Sequence, residues 1–513
     1  MPGRTEFSFD FAREQPRQAR RNNPEQAMRI LLLGDFSGRK NRGLSNQDDL
    51  LNRQVYKVDV DNVAAVMARI APGLTLRFSD PAMPDIGIDL RQLDDFHPDV
   101  LLQKLDIFQG LLHLRERLQD PADFAAAAGE LRTQVQLTAR AADKAQTETP
   151  PAVPEDDAET LQRLLGQPSQ KASRQAEIKG KNAAEDYIRA IVADYVVPEA
   201  PPYRDVYLQA VDTAISAKMR MLLQHPDFQA LESAWRALHD LVSGIESDAL
   251  LSLHVLDVAR EELFADLSSA TQGLQTSAVY RLLVERHAEA FGGIPWAVLA
   301  GNYTFACDAD DIALLVGMGV LASHAGGPFL AAADPRILGC RSLAGTPDAH
   351  DWPEPDPQCT QRWQALRQSP VANWLGLALP RVLMRLPFGR ETEELESFDF
   401  EEMTQAQGHE AFLWGNPAFY CALLLARSFT DSGWDMQPGD DLQIEDLPAY
   451  IYQENGESKL LPCAEVCLSE NTMVKILDQG LMPFISHRSS NIIRLARFQS
   501  LADPAAALAG PWS

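Results

Sequence analysis

The chain has 513 residues, of which 45% are hydrophobic and 23% are charged, and these values are typical of a soluble protein with more than one domain. Acidic residues outnumber basic ones by 72 to 46, and the formal charge of −26 disfavours nucleic acid or an anionic membrane as the main partner. No apolar run is long enough to span a membrane and the N-terminus has no apolar signal segment, so we expect a cytoplasmic protein without membrane insertion.

The first predicted strand is the apolar run at 30–33, which ends in the turn "GDFSG" at 34–38. Glycines and a basic pair after a strand suggest a phosphate-binding loop, but the spacing differs from that of a P-loop. A hydrolase with Ser37 as nucleophile is a second hypothesis, although the sequence places no histidine beside it. A structural turn in which Asp35 or Ser37 bonds backbone amides explains the same residues and is favoured.

Residues 28–142 continue as a predicted α/β module. The alternation in "QVYKVDVDNV" predicts a half-buried strand, and "VAAVMARIAP" predicts a helix that Pro72 ends. "LTLRF" and "IGIDL" predict two more strands. Residues 94–120 predict one long helix, with Asp94 and Asp95 at its start and Pro98 in its first turn. Its buried stripe is formed by Leu101, Leu105, Phe108, Leu112 and Leu118.

Residues 143–180 are rich in Pro, Glu, Asp, Gln and Ser and poor in aromatic residues, which predicts a flexible acidic linker. Within it, "DAETLQRLLG" is a short amphipathic island with Leu161, Leu164 and Leu165 on one face. A helix this short is marginal in isolation, so it either docks on its own chain or becomes ordered on a partner. Both alternatives remain open.

From residue 181 to 513 the composition is again that of a globular domain. "HPDFQALESAWRALHDLVSGI" predicts a helix with Pro226 in its first turn and an apolar stripe along one face. "LLSLHVL", "PWAVLAGNY" and "GPFLAAAD" predict strands interleaved with helices. The predicted fold class is therefore α/β (mixed α+β).

Residues with catalytic or metal-binding chemistry do not form a recognisable pattern in the sequence. The ten histidines are scattered, and paired carboxylates such as Glu393-Glu394 lie in polar segments that predict solvated faces. The six cysteines contain no Cys-x-x-Cys pair, so we expect neither a disulfide framework nor a zinc site at Cys463 and Cys467. We therefore predict no catalytic residue, metal or cofactor. Loops such as "PRVLMRLPFGR" favour protein–protein interaction.

Several long motifs resemble the contractile sheath subunits of the bacterial type VI secretion system. The segment from about 205 to 490 is similar to the large subunit (TssC) through "HPDFQALESAWRALHDLV" (225–242), "FGGIPWAVLAGNYTF" (291–305), "HAGGPFLAAADP" (324–335), "LALPRVLMRLPFG" (377–389) and "FLWGNPAFYCALLLARSF" (412–429). The first module is similar to the small subunit (TssB) through "LLLGDFSGR" (31–39), "VDVDNVAAVMARIAPGLTLRF" (58–78) and "LDDFHPDVLLQKLDIFQGLLHLRERL" (93–118).

The resemblance implies a fusion of the two subunits in one structural protein. Its expected parts are an N-terminal arm (1–27), a TssB-like domain (28–142), the flexible linker (143–180) and a TssC-like domain (181–513). Fusion turns the association of two partners into an intramolecular event with one-to-one stoichiometry. The TssB-like module is expected to pack on the TssC-like domain.

The resemblance also implies partners. These are other sheath or baseplate proteins in an oligomer, the Hcp inner tube, and the ClpV ATPase, which would dock on the helix with Leu161, Leu164 and Leu165. The large-subunit family continues past "GLMPFISHRSSNIIRLARFQSL" (480–501) into a module that we expect this chain to lack. A non-polymerising accessory that caps, terminates or modulates the sheath or baseplate is therefore an alternative, and a hydrolase using Ser37 is a weaker one.

Overall fold

The computed structural model describes residues 15–44, 47–78, 84–133, 204–404, 408–454, 457–487 and 490–512. The strands are β1 (Met28–Gly34), β2 (Tyr56–Val58), β3 (Gly73–Leu76), β4 (Ile86–Asp89), β5 (Leu251–Asp257), β6 (Val298–Phe305), β7 (Phe329–Ala333), β8 (Leu375–Leu379), β9 (Val382–Leu383), β10 (Trp414–Gly415), β11 (Gln443–Ile444), β12 (Ile451–Glu454), β13 (Glu457–Leu460), β14 (Met482–Ser486) and β15 (Ile493–Leu495). The α-helices are α1 (Val63–Ile70), α2 (Pro98–Lys104), α3 (Asp106–Gln119), α4 (Arg204–Leu223), α5 (Pro226–Ser243), α6 (Arg260–Ser269), α7 (Ala278–Tyr280), α8 (Ala309–Ala325), α9 (Pro357–Arg367), α10 (Ala418–Ser432) and α11 (Glu470–Asp478). Residues 124–133 are also helical.

Nine strands form one sheet in the order β11-β15-β14-β8-β7-β6-β1-β5-β2. Neighbouring strands are parallel from β14 to β5, and antiparallel pairs occur only towards the two edges. All residues of β7 and β8 are buried, as expected for parallel strands covered by helices on both faces. The predicted α/β fold class is confirmed. In the part of the chain that the structure covers, no helix has both the length and the apolar character needed to cross a membrane.

The first strand of the chain lies inside this sheet. β1 pairs in parallel with β5 on one side and with β6 on the other, so that Ile30 faces Leu253 and Val298 in the two registers. β1 is therefore separated from both of its neighbours in the sheet, β5 and β6, by more than two hundred residues in sequence. The predicted TssB-like and TssC-like domains share one sheet, and the boundaries between them stay a prediction.

Alternate side chains of β1 belong to different cores, as the two-residue period of a strand requires. Ile30 and Leu32 pack in the core that contains α5 and α10, whereas Leu31 and Leu33 pack in the core that contains α6 and α8. All four side chains are fully buried. Full burial of one such side chain contributes about 1.5–3 kcal/mol, so β1 is a substantial part of both cores.

The prediction of one continuous helix over 94–120 is wrong. Leu93–Phe96 is a 3₁₀ turn, and α2 and α3 are separated at Leu105, whose backbone is extended with φ −92° and ψ 129°. Pro98 begins α2 as predicted. Asp95 is buried and caps the start of the 3₁₀ turn, since its Oδ2 accepts the backbone N of Arg91 at 2.7 Å, and its Oδ1 accepts a hydrogen bond from Lys104 Nζ at 2.7 Å. The contact with Lys104 links the 3₁₀ turn to the last residue of α2.

Several other local predictions are confirmed. Pro226 opens α5 as predicted, and the three strands predicted from the apolar runs correspond to β5, β6 and β7. The strand predicted in "QVYKVDVDNV" is shorter than expected, because β2 ends at Val58. Asp59 begins a turn there, and its Oδ1 accepts a hydrogen bond from the backbone N of Asn62 at 3.0 Å.

The expectation about cysteines needs one correction. Cys307, beyond the end of β6, forms a disulfide with Cys359 in α9, with the two Cα atoms 5.1 Å apart. The two cysteines are 52 residues apart in sequence, and no local pattern identifies them as a pair. Burial raises the pKa of the Cys463 thiol to about 11, which disfavours the thiolate that a zinc site would need.

Candidate functional site: the surface joining the two halves of the chain

The turn after β1 is closed by Asp35. Its Oδ1 accepts a hydrogen bond from the backbone N of Arg39 at 2.7 Å, and its Oδ2 accepts one from Lys40 at 2.9 Å. Gly38 has φ +73°, and a Cβ at this position would collide with the backbone oxygen of Gly73. The favoured prediction of a structural turn is confirmed.

Ser37 is anchored rather than activated. Its hydroxyl donates to Oδ2 of Asp257 at 2.7 Å, and the backbone N atoms of Phe36 and Ser37 donate to Oδ1 at 2.8 and 3.0 Å. Burial raises the pKa of Asp257, which ends β5, although the Ser37 hydrogen bond opposes this effect. Ser37 is 4% exposed, and within the described ranges no histidine bonds to its hydroxyl. The geometry needed for a serine nucleophile is therefore not formed here.

Beside this turn, two arginines of the predicted TssB-like part (28–142) contact one glutamate of the predicted TssC-like part (181–513). These two parts are called the N-terminal and C-terminal halves. Arg39 Nε lies 3.2 Å from Glu262, and Arg53 Nη1 donates to Glu262 Oε2 at 2.8 Å. The same carboxylate accepts the backbone N of Ala259 at 2.9 Å, which caps α6. Burial by itself would raise the pKa of Glu262, but the hydrogen bond from Arg53 and that from Ala259 hold it below its usual value.

Aromatic side chains extend the contact over the face of the sheet. Phe36 meets Trp235 edge to face at 5.4 Å between ring centroids and lies 6.3 Å from Phe419. Trp235 Nε1 also donates to the backbone oxygen of Phe36 at 2.8 Å. Farther along α5, the rings of Phe96 and Phe228 lie 5.5 Å apart. Each aromatic pair of this kind adds about 0.5–1.5 kcal/mol beyond simple burial.

A second polar contact joins α2 to the non-helical segment 393–397. In α2, Asp99 accepts the backbone N atoms of Glu396 and Ser397 at 3.0 and 3.2 Å. His97 Nδ1 caps α2 by accepting the backbone N of Asp99, and its Nε2 lies 3.3 Å from Glu393. Glu393 is exposed, as predicted for a solvated face, and it also contacts His97 of the TssB-like part.

A buried ion network lies next to this surface. Arg385 Nε donates to Glu232 at 2.8 Å, and its Nη1 donates to Glu402 at 2.7 Å. The side chains of Arg385, Glu232 and Glu402 are 6%, 0% and 2% exposed. Burial alone would raise the pKa of Glu232, but Arg385 and Arg236 together lower it. The network fixes α5 against the segment that follows β9.

The part of the chain that the structure covers contains one group with the spacing of a metal site, formed by His409, Glu410 and Glu465, whose ligand atoms lie within 4.8 Å. Arg381 already pairs with both carboxylates, at 2.9 Å to Glu410 and 3.1 Å to Glu465. His409 Nε2 lies 3.3 Å from Glu465. Against the effect of burial, the contacts from His409 and Arg381 lower the pKa of Glu465 to about 2.

These carboxylates have an arginine as their counter-ion, and the group forms one wall of a ≈ 280 Å³ cleft at the carboxyl ends of β7 and β8. Its geometry is that of an ion-pair network.

Sequence reasoning located the turn but not its partners. Asp257 and Glu262 lie more than two hundred residues away from Ser37, and no local pattern marks either one. The predicted partner-binding residues Leu161, Leu164 and Leu165 lie outside the described residues, so their role stays a prediction.

Comparisons with known proteins match two parts of the chain to two families. Residues 205–502 match the family described as VipB, EvpB/VC_A0108, tail sheath N-terminal domain. Residues 14–148 match the family described as Type VI secretion system, VipA, VC_A0107 or Hcp2. The type VI secretion system sheath protein TssC1 of Pseudomonas aeruginosa is 31% identical over 307 residues, which cover 58% of this chain and 61% of that protein. The chain thus spans less than two thirds of the length of this relative.

Proposed function

Because the chain belongs to the VipB tail sheath family, we propose that it is a structural component of a type VI secretion system that is related to the contractile sheath. Its activity is assembly with other proteins. The observation that carries this proposal is the position of β1, whose sequence matches the VipA family, inside the sheet of the VipB-like half. A parallel strand buried on both faces is an integral part of its sheet, so the parts matched by the two families are built as one unit.

The chain combines both sheath parts in one polypeptide. The proposed parts are the arm (1–27), the TssB-like domain (28–142), the flexible linker (143–180) and the TssC-like domain (181–513). Ion pairs support this arrangement, since Arg39 and Arg53 come from the first domain and Glu262 from the second. Linking the two partners raises their effective concentration and fixes their ratio.

The proposed partners are other sheath or baseplate proteins in the cytoplasm, together with the Hcp inner tube and the ClpV ATPase. ClpV would recognise the apolar face formed by Leu161, Leu164 and Leu165. We assign no catalytic role to the chain, because the Ser37 hydroxyl is buried and held by Asp257. The matched families are structural sheath components, which supports the same conclusion.

Electron microscopy of the purified chain tests this proposal. The chain is imaged alone, and then with the separate small and large sheath subunits and Hcp. Tubules formed by the chain alone, or incorporation along mixed tubules, would support a sheath building block. Decoration only at tube ends would support an accessory that caps or terminates the sheath. Discrete particles that ignore the sheath subunits and Hcp would refute both.

The ClpV part has its own test. Replacing Leu161, Leu164 and Leu165 by alanine should abolish binding of purified ClpV and leave assembly unchanged. The matched control replaces Gln162 and Arg163, neighbours in the same segment, by alanine and should keep ClpV binding. Equal loss of binding in both variants would argue against recognition through the leucine face.

A further inference from the structure

A large acidic cleft lies on the side of the molecule formed by the end of α5, by α10 and by the residues after β11. Its volume is ≈ 840 Å³. Four carboxylates line it, from Asp240, Glu393, Glu445 and Asp446. The rest of its lining mixes polar and apolar residues, and the apolar ones are Met384, Leu386, Tyr420, Leu423, Ile444, Leu447, Pro448 and Ala449. A groove of this size and lining fits an extended polypeptide rather than a single ion.

Within the described ranges, three of the four carboxylates of the acidic cleft have no basic group in contact, whereas Glu393 lies beside His97. Arg427 is the basic residue of its lining, and its Nε is directed at the backbone oxygen of Gly244 at 3.4 Å. In the part of the chain that the structure covers, no lysine, arginine or histidine nitrogen lies within 4.0 Å of the carboxylates of Asp240, Glu445 or Asp446. Asp240 is half-buried, whereas Glu445 and Asp446 are exposed, so an incoming cation would meet negative charge without a cationic partner along the cleft.

Asp240 illustrates this imbalance. Its Oδ2 accepts a hydrogen bond from the Tyr420 hydroxyl at 2.9 Å, and the Tyr420 ring is almost fully buried. Burial raises the pKa of the Asp240 carboxyl, although Tyr420 and nearby basic groups oppose the shift. A positive side chain placed in the cleft would stabilise the ionised form of Asp240.

The carboxylates do not converge as metal ligands do. In the described ranges the one group with metal-site spacing is His409, Glu410 and Glu465, and it is elsewhere. Carboxylates spread along a groove suit several separate cations carried on one chain. Charge complementarity therefore selects a basic segment with small or apolar residues between its charges.

The chain itself contains such a segment. Residues 171–181, "KASRQAEIKGK", hold four basic residues and one acidic residue in a protein of net charge −26. This stretch belongs to 134–203, outside the described residues, and the chain re-enters the structure at Arg204, where α4 begins. Only two residues separate α4 from α5, whose last turn borders the acidic cleft.

The connection is long enough to reach. Even if α4 and α5 lay end to end, Arg204 would be at most about 60 Å from the last turn of α5. The residues between 181 and Arg204 span roughly 70 Å when fully extended. Residues 171–181 can therefore reach the acidic cleft of their own chain for any angle between the two helices.

We propose that residues 171–181 bind in the acidic cleft of the same chain, with their lysine and arginine side chains facing Asp240, Glu445 and Asp446. The alanine and isoleucine residues between these charges would contact the apolar residues of the lining. This contact does not depend on the role of the chain in secretion. It would hold the start of the TssC-like half against its own body.

Carbodiimide cross-linking of the full-length chain tests the proposal, because this reagent joins a carboxylate to an amine only at contact distance. The expected cross-links join Glu445 or Asp446 to Lys171, Lys179 or Lys181, as identified by mass spectrometry. The Lys40–Glu261 ion pair, with atoms 2.7 Å apart, is the internal positive control.

Variants and isotope labelling sharpen the result. E445Q with D446N should remove these cross-links and keep the Lys40–Glu261 product, whereas E261Q should do the opposite. Mixing labelled and unlabelled chains separates contacts within one chain from contacts between copies. Cross-links that join labelled to unlabelled chains would show that the contact is made between two copies, and they would overturn the proposal of a contact within one chain. A Lys40–Glu261 product without any cross-link from residues 171–181 to the cleft would overturn it.

Discussion

Removing Arg385 should strongly destabilise the fold. The substitution Arg385→Leu leaves Glu232 and Glu402 buried, at 0% and 2% exposure, without their shared counter-ion. Arg236 still contacts Glu232 at 2.8 Å, so the loss falls mainly on Glu402. Loss of one partner from a buried ion network costs about 3–5 kcal/mol. Since domains are commonly stable by only about 5–15 kcal/mol, this is a large fraction of the total.

The free energy of unfolding, from urea titration followed by tryptophan fluorescence, measures this loss. Arg390→Leu is the matched control, because Arg390 pairs with Asp399 and both side chains are 63% exposed. Its cost should be small, because solvent screens an exposed ion pair. Replacing Arg385 together with Glu232 and Glu402 by uncharged residues of similar size should recover most of the stability, because no unpaired buried charge then remains.

Acid provides an independent check on the same network. The pKa of Glu232 is lowered in the folded chain, so its contribution is present above the unfolded pKa. That contribution is lost as the pH falls through the folded pKa. The wild-type chain should therefore lose stability in acid more steeply than the uncharged triple variant. Equal destabilisation by Arg385→Leu and Arg390→Leu, or identical acid profiles, would refute the reasoning.

Three further substitutions test separate parts of the structure. Ser37→Ala should lower the free energy of unfolding by about 1 kcal/mol, through loss of the hydrogen bond to Asp257, and a larger loss in chemical denaturation would contradict this estimate. Replacing Cys307 and Cys359 by serine should lower it by about 4 kcal/mol under oxidising conditions, whereas under reducing conditions variant and wild type should agree. The pKa of His254 is lowered by burial from 6.5 to about 3, so the unfolded chain binds a proton that the folded chain does not, and stability should rise with pH across that window. His254→Gln should flatten this slope in unfolding titrations at several pH values, and an unchanged slope would exclude His254 as its source.

How far the sequence predicts this fold depends on the distance over which each signal acts. The turn after β1 and the start of α5 were predictable, because glycine, aspartate and Pro226 act on their immediate neighbours. The break at Leu105 was not, because Leu101, Leu105 and Phe108 keep helical spacing across it and are all buried. Periodicity alone could not distinguish one long helix from two short ones with a common buried face.

The contact surface was the least predictable part. Ser37 was noticed as a possible nucleophile, but its function as a donor depends on Asp257, which lies 220 residues later. Arg385 and Glu232 carry no motif, and only tertiary packing brings them together. Charge pairs at such separations require either a structure or covariation between homologues.

The central position of β1 also determines the order of events during synthesis. The strand leaves the ribosome early, yet its neighbours β5 and β6 begin only at Leu251 and Val298. At usual elongation rates of about 5–20 residues per second, β1 waits roughly 10–45 s before its first parallel partner exists. During this interval, its apolar residues from Ile30 to Leu33 are an exposed template for incorrect pairing. A cell that makes this chain must therefore keep its earliest strand unpaired until about half of the protein has been made.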